Sequence, residues 1–194
     1  MLYRVARAFV RFIYTIFFRL EAVGTENVPT DGAVILCSNH ISVLDPPTVG
    51  IRLKRQVRFM AKQELFEIPL FGQLIRKLGA FPVRRGGVSR ESIRTVIHVL
   101  EQGGILGIFP EGSRNATGAG KRGAATFALR TQAVIIPVAI IGQYKLFRKM
   151  KVIYGQPIEL DDLRAQTGPN VSIQATERIM NAIHTIQDEY AMKN

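Results

Sequence analysis

Val134–Ile141 is eight consecutive residues without a polar side chain, six of them β-branched and one a proline. A run of that length and composition reads as a strand buried on both faces, which requires covering layers on both sides of a sheet. Ala33–Ser38 repeats the pattern, and Val57–Ala61, Phe81–Val83, Ile105–Phe109 and Val152–Tyr154 are shorter runs of strand character. The last of these reads as an edge strand. Between them, Thr48–Leu53, Ile68–Leu78, Ser89–Gln102 and the segment after Gly118 carry helical spacing, and Ser172–Tyr190 closes the chain as an amphipathic helix. Strands alternating with helices predict an α/β fold with a mixed, largely parallel sheet flanked by helices. No repeat or linker divides the chain, so residues 21–194 are expected to form one domain behind a separate N-terminal helix over residues 1–20.

That N-terminal segment, MLYRVARAFVRFIYTIFFRL, is aromatic and aliphatic but interrupted by arginines. On a helix Arg4, Arg7, Arg11, Thr15 and Arg19 fall within an arc of about 120°. Only seven residues separate Arg11 from Arg19, and a spanning helix needs about 20 mostly apolar residues, so the segment is not expected to cross a bilayer. A signal peptide is a poor fit, since Arg11 would sit inside its apolar stretch and no small-residue cleavage site follows. The helix packs its wide apolar face on the domain, or lies as an amphipathic helix in a membrane interface with its arginines at anionic headgroups, and both can hold in part; the interfacial helix is the expectation.

Net charge narrows the partners. The chain carries +11, with ten Lys or Arg against Glu64 and Glu67 in residues 52–90. Such an excess suits nucleic acid, an anionic membrane surface or an anionic substrate. Zinc-finger, ribonucleoprotein and leucine-zipper patterns are absent and there is no tryptophan, so no nucleic-acid partner is expected. One cysteine, Cys37, excludes an internal disulfide framework, and without CxxC or HExxH spacing no metal site is expected. Cys37, inside an apolar run, reads as a core residue, and His98 and His184 as structural or solvated.

Two blocks carry chemistry. In Asn39-His40-Ile41-Ser42-Val43-Leu44-Asp45-Pro46-Pro47 the histidine follows a buried strand, where α/β sheets place reactive groups. Asp45 before two prolines reads as a helix N-cap. His40 is either a hydrogen-bonded strand-end residue or the base of a His40–Asp45 dyad, in which a carboxylate orients the imidazole to take a proton from a hydroxyl. With no nucleophile alongside, that hydroxyl would belong to the substrate. In Phe109-Pro110-Glu111-Gly112-Ser113-Arg114, glycine, hydroxyl and guanidinium suit a loop that wraps an oxyanion, or an ordinary polar turn. Arg84 follows the strand Phe81–Val83 and Lys62 follows Val57–Ala61, so four polar groups leave four strands and can meet at one sheet edge.

These blocks, in this order, resemble the glycerolipid acyltransferases of the lysophosphatidic acid acyltransferase type. His40 through Asp45 matches HxxxxD, Gly79 through Arg84 matches GxFxxR, and Phe109 through Arg114 matches the FPEGTR-type block with Ser113 in place of threonine. Ile135-Ile136-Pro137-Val138 matches a fourth, proline-centred block, with Pro137 structural. The resemblance implies transfer of a fatty acyl group from acyl-CoA or acyl carrier protein to the sn-2 hydroxyl of lysophosphatidic acid, giving phosphatidic acid in phospholipid biosynthesis. It implies His40 as base and Asp45 as its orienting group. It also implies a phosphate clamp of Lys62, Arg84, Glu111, Gly112, Ser113 and Arg114, with Glu111 positioning an arginine. No cofactor is implied, since the thioester is itself a substrate. Expected partners are the lysophospholipid, the acyl donor and an anionic membrane surface, with monotopic attachment at the cytoplasmic face of the cell membrane. The alternatives are another lysophospholipid or glycerol 3-phosphate as acceptor, or a catalytically silent lipid-binding module.

Overall fold

The computed structural model describes residues 2–83, 90–110, 122–168 and 170–192. In chain order its elements are α1 (Leu2–Phe17), β1 (Leu20–Val23), β2 (Val34–Ser38), α2 (Asp45–Gly50), β3 (Val57–Lys62), α3 (Phe71–Lys77), β4 (Phe81–Val83) and α4 (Arg90–Glu101). They continue with β5 (Ile105–Ile108), α5 (Arg122–Arg130), β6 (Val134–Ile141), β7 (Met150–Tyr154), α6 (Asp161–Arg164) and α7 (Val171–Ala191). Short 3-10 turns occupy Thr25–Asn27 and Gln63–Phe66.

Among the described residues the strands form one seven-stranded sheet in the order β1-β7-β6-β2-β5-β3-β4. Every neighbouring pair is parallel except β6 with β7. Period-two alternation divides the core between the faces. In β2, Val34 and Leu36 enter a layer with Val10, Ile13 and Tyr14 of α1 and with Val49, Ile51 and Leu53 in and after α2. Ile35 and Cys37 enter the opposite layer with α4, α5, α6 and α7, through side chains such as Val96, Phe127, Leu163 and Ile179. These four residues of β2 are fully buried, as in a central strand of a doubly covered sheet. The expected α/β fold with a mixed, largely parallel sheet flanked by helices is the one observed.

Three expectations need correction. Val152–Tyr154 lies in β7, which is internal: it is flanked by β6 and by β1, a four-residue edge strand that local sequence does not reveal. The N-terminal helix stops at Phe17, because Arg19 turns to a positive φ of 43° and Leu20 opens β1. Asp45 does not cap α2; it is the first helical residue, after Leu44, and its carboxylate points back toward His40.

α1 divides its apolar residues between the domain and the outside. Its inward side carries Tyr14, buried, with Val10 and Ile13, and Arg7 donates hydrogen bonds to the carbonyls of Leu53 and Lys54. Val5, Phe9, Phe12 and Ile16, spaced four, three and four residues apart, form an outward apolar stripe, with Phe9 63% exposed. Among the described residues no helix is long and apolar enough to cross a membrane.

Candidate active site

Strands β2, β5, β3 and β4 are adjacent and parallel, so their C-terminal ends share one edge. The four polar blocks follow these four strands. His40 comes two residues after β2, and Lys62, exposed, ends β3 in register with Val83 of β4. Arg84, Glu111, Gly112, Ser113 and Arg114 lie outside the described residues.

The loop from β2 to α2 is built around one buried carboxylate. The Asp45 side chain is fully buried, and its Oδ2 accepts from His40 Nδ1 at 2.6 Å and from the amides of Ile41 and Ser42 at 2.7 Å each. Its Oδ1 accepts from the hydroxyl of Tyr144 at 2.8 Å. Pro46 and Pro47 allow Asp45 to stand in the first turn of α2, where missing amide hydrogens cost nothing. Four donors hold this carboxylate stationary and satisfy its oxygens despite its burial. It fixes the His40 Nδ1–H tautomer and places the basic lone pair on Nε2. The His40 side chain is 21% exposed, so its ring reaches the surface while its partner does not.

Two further contacts orient His40. The Asn39 amide pairs with the backbone of Ile140 in both directions, Nδ2 donating at 3.0 Å and Oδ1 accepting at 2.7 Å. This extends the β2–β6 ladder by one side-chain rung and anchors the chain one residue before the histidine. The imidazole also stacks on Phe109, with ring centroids 4.3 Å apart, and Phe109 lies over Phe59 at 6.0 Å. Gly107 makes that column possible, since a Cβ there would lie 2.0 Å from the Phe59 ring. Gly79 opens the GxFxxR block for a different reason: its φ is +96° and a Cβ would press within 2.7 Å of the Gln56 amide.

Tyr144, Thr48 and Tyr14 were not visible as site residues. Thr48 Oγ1 lies 2.7 Å from the Tyr144 hydroxyl and 3.0 Å from the Leu44 carbonyl, which also accepts from Tyr14 at 3.1 Å. Burial above all, with the Asp45 charge adding, holds the Tyr144 phenol well above the ordinary tyrosine range, so it remains a donor. Tyr144 stands 99 residues from Asp45 in sequence. The legible trace was its place three residues beyond the end of β6, at the same sheet edge as His40.

Other residues resolve as structural. Arg55, within the basic stretch, donates to the carbonyls of Pro29, Asp31, Gly32 and Gly103 before the starts of β2 and β5, the edge opposite His40. Cys37 is fully buried, and burial pushes its thiol up to about 12, so it offers no thiolate at neutral pH. His98 and His184 are exposed. Among the described residues no group of His, Cys, Asp or Glu is placed to hold a metal ion. The arrangement as a whole is suited to removing a proton from a bound hydroxyl and stabilising the imidazolium that forms.

Comparison with known proteins agrees with this chemistry. The acyltransferase family model matches residues 19–141. The chain is 33% identical over 177 residues to the 1-acyl-sn-glycerol-3-phosphate acyltransferase of Bacillus subtilis (strain 168), covering 88% of this chain and 89% of that one. It is 32% identical over 173 residues to the enzyme of the same name from Streptococcus pneumoniae, covering 85% and 65%. The fold matches the crystal structure of the 1-acyl-sn-glycerophosphate (LPA) acyltransferase PlsC from Thermotoga maritima, with a TM-score of 0.74 at 23% identity, over 97% of this chain and 80% of that one.

Proposed function

The chain belongs to the acyltransferase family, and from that premise we propose that it acylates the sn-2 hydroxyl of lysophosphatidic acid to give phosphatidic acid. The contact that carries this reading is the 2.6 Å hydrogen bond from His40 to a wholly buried Asp45 at the open edge of four parallel strands. His40 Nε2 takes the proton of the acceptor hydroxyl as its oxygen attacks the thioester carbonyl carbon. The tetrahedral intermediate collapses with cleavage of the carbon–sulfur bond, and the imidazolium gives its proton to the departing thiolate sulfur, releasing the free thiol of coenzyme A or acyl carrier protein. Asp45 stabilises the imidazolium throughout and does not itself become protonated. No acyl-enzyme is needed, and Cys37 is unsuited to forming one.

Lys62, Arg84, Gly112, Ser113 and Arg114 hold the acceptor phosphate in this reading, and Glu111 orients an arginine. Their support is the common edge that the four preceding strands share. The outward stripe Val5, Phe9, Phe12 and Ile16 supports peripheral attachment to a lipid surface, which in this reading is the anionic, cytoplasmic face of the cell membrane.

The test is release of free thiol from purified protein given lysophosphatidic acid and long-chain acyl-CoA in detergent, repeated with acyl-acyl carrier protein. Acceptor-dependent release that falls by about 10²–10⁴ in His40→Ala, with lysophosphatidic acid binding retained, is the expected result. Loss of binding together with turnover would make His40 structural. Folded protein that binds lysolipid yet releases no thiol from either donor would be a silent lipid-binding module.

A further inference from the structure

The connection from β6 to β7, residues 142–149, holds Lys145-Leu146-Phe147-Arg148-Lys149 at its tip, and all five are exposed. Leu146 is 64% and Phe147 61% exposed, so two large apolar side chains stand in water beside three cations. Phe147 is also held at a φ of +62°, a region that bulky L-residues rarely occupy. The hydrogen bond from its amide to the carbonyl of Phe17, at 2.6 Å, maintains that conformation, and the two rings lie 6.0 Å apart. Strain kept in order to display an apolar ring outward calls for a functional explanation.

We propose that Leu146 and Phe147 form a wedge that inserts into an anionic lipid surface beside α1, giving the protein a second, independent seat on the membrane. Continuity supports a lipid partner: Phe17 ends the helix whose outward stripe runs Val5, Phe9, Phe12, Ile16, so stripe and wedge adjoin. Charge supports an anionic one. Lys145 and Arg148 flank the pair, and Lys149, although 3.1 Å from Glu21, keeps its side chain half exposed. The inference rests on the reading that the chain works at a lipid surface, and goes beyond it in assigning the residues that enter.

The chain contains no tryptophan, so Phe147→Trp supplies a single emitter at the wedge. Met192, 80% exposed at the end of α7, gives a control as Met192→Trp. Each variant is mixed with phosphatidylcholine–phosphatidylglycerol vesicles, with and without lipids brominated along the acyl chain, while sedimentation measures binding. The expected result is a blue shift and bromine quenching for Phe147→Trp and neither for Met192→Trp. Leu146→Ser/Phe147→Ser should lower partitioning at least about tenfold, and Lys145→Ala/Arg148→Ala about fivefold per charge at low salt. Sedimentation with an unquenched Phe147→Trp would overturn the wedge and leave α1 as the anchor. Failure to bind vesicles at all would overturn the wedge and the lipid-surface reading together. Quenching of both reporters would mean non-specific embedding, and a concentration-dependent blue shift without lipid would assign the patch to a second copy of the chain; either overturns the proposal.

Discussion

The two ends of the central strands each carry a dense polar cluster, built from opposite materials. At one end the Arg55 guanidinium gives its hydrogens to four backbone carbonyls. At the other, the Asp45 carboxylate receives hydrogens from a histidine, a tyrosine and two backbone amides. One is a cation among acceptors and the other an anion among donors, and both hold loops to the sheet. What separates them is protonation. Guanidinium never gives up its proton in a protein, so the Arg55 cluster can only bind the chain together. The Asp45 cluster includes an imidazole that reaches the surface and whose second nitrogen can accept and return a proton, so it can also do chemistry. Polar density alone therefore does not identify a reactive site; the titratable neighbour does.

That contrast can be broken most forcefully at Asp45. Asp45→Asn should lower kcat roughly 10³–10⁴-fold, because an amide supports the wrong imidazole tautomer. A variant within tenfold of the parent, in steady-state assays of correctly folded protein, would remove the dyad from catalysis. Acidification should act in the same direction, reversibly: once His40 is protonated, kcat/KM falls by about tenfold per pH unit. The Tyr144 phenol, raised by burial, stays neutral as pH increases, so it contributes no alkaline limb. A profile flat from acid to neutral pH, with chemistry limiting, would exclude His40 as the base.

Arg55→Met tests the opposite end. It should cost about 2 kcal/mol of stability, seen as a lower urea midpoint, while kcat per folded molecule stays within about twofold of the parent. Reduced kcat at unchanged stability would erase the distinction between the two clusters. The smallest expected effect is at Tyr144. Tyr144→Phe removes the contact with Thr48 and, more to the point, the hydrogen bond to Asp45, worth about 1 kcal/mol, so kcat should fall about fivefold at unchanged KM. A change in KM alone would place Tyr144 in substrate binding instead of Asp45 positioning.

What could be read from the sequence follows physical range. β6 and β4 match their apolar runs residue for residue, because burial on a pleated sheet leaves a local signature. α3 begins at Phe71, later than its periodicity implies, since Pro69 interrupts the helical backbone. β1 is four residues that become a strand only by pairing with β7, some 130 residues later in the chain. The His40–Asp45 pairing was legible because both partners sit in one loop. The supports from Tyr144 and Asn39 depend on which strands adjoin β2, a matter of sheet order that no local pattern records. The helical wheel of α1 revealed an arginine stripe but not its direction, which depends on carbonyls at Leu53 and Lys54 being in reach of Arg7.

The ring closed by Asp45 has a consequence for how this segment can change. Its Oδ2 must meet a side-chain nitrogen five positions back and two amides four and three positions back, all within 2.7 Å. The interval of four residues is thus a ruler more than a linker. Ile41 and Val43, partly or largely exposed, can vary in identity with little loss. Inserting or deleting one residue would carry the carboxylate out of reach of all three donors at once. Substitution can explore this loop, whereas a change of length would have to rebuild it.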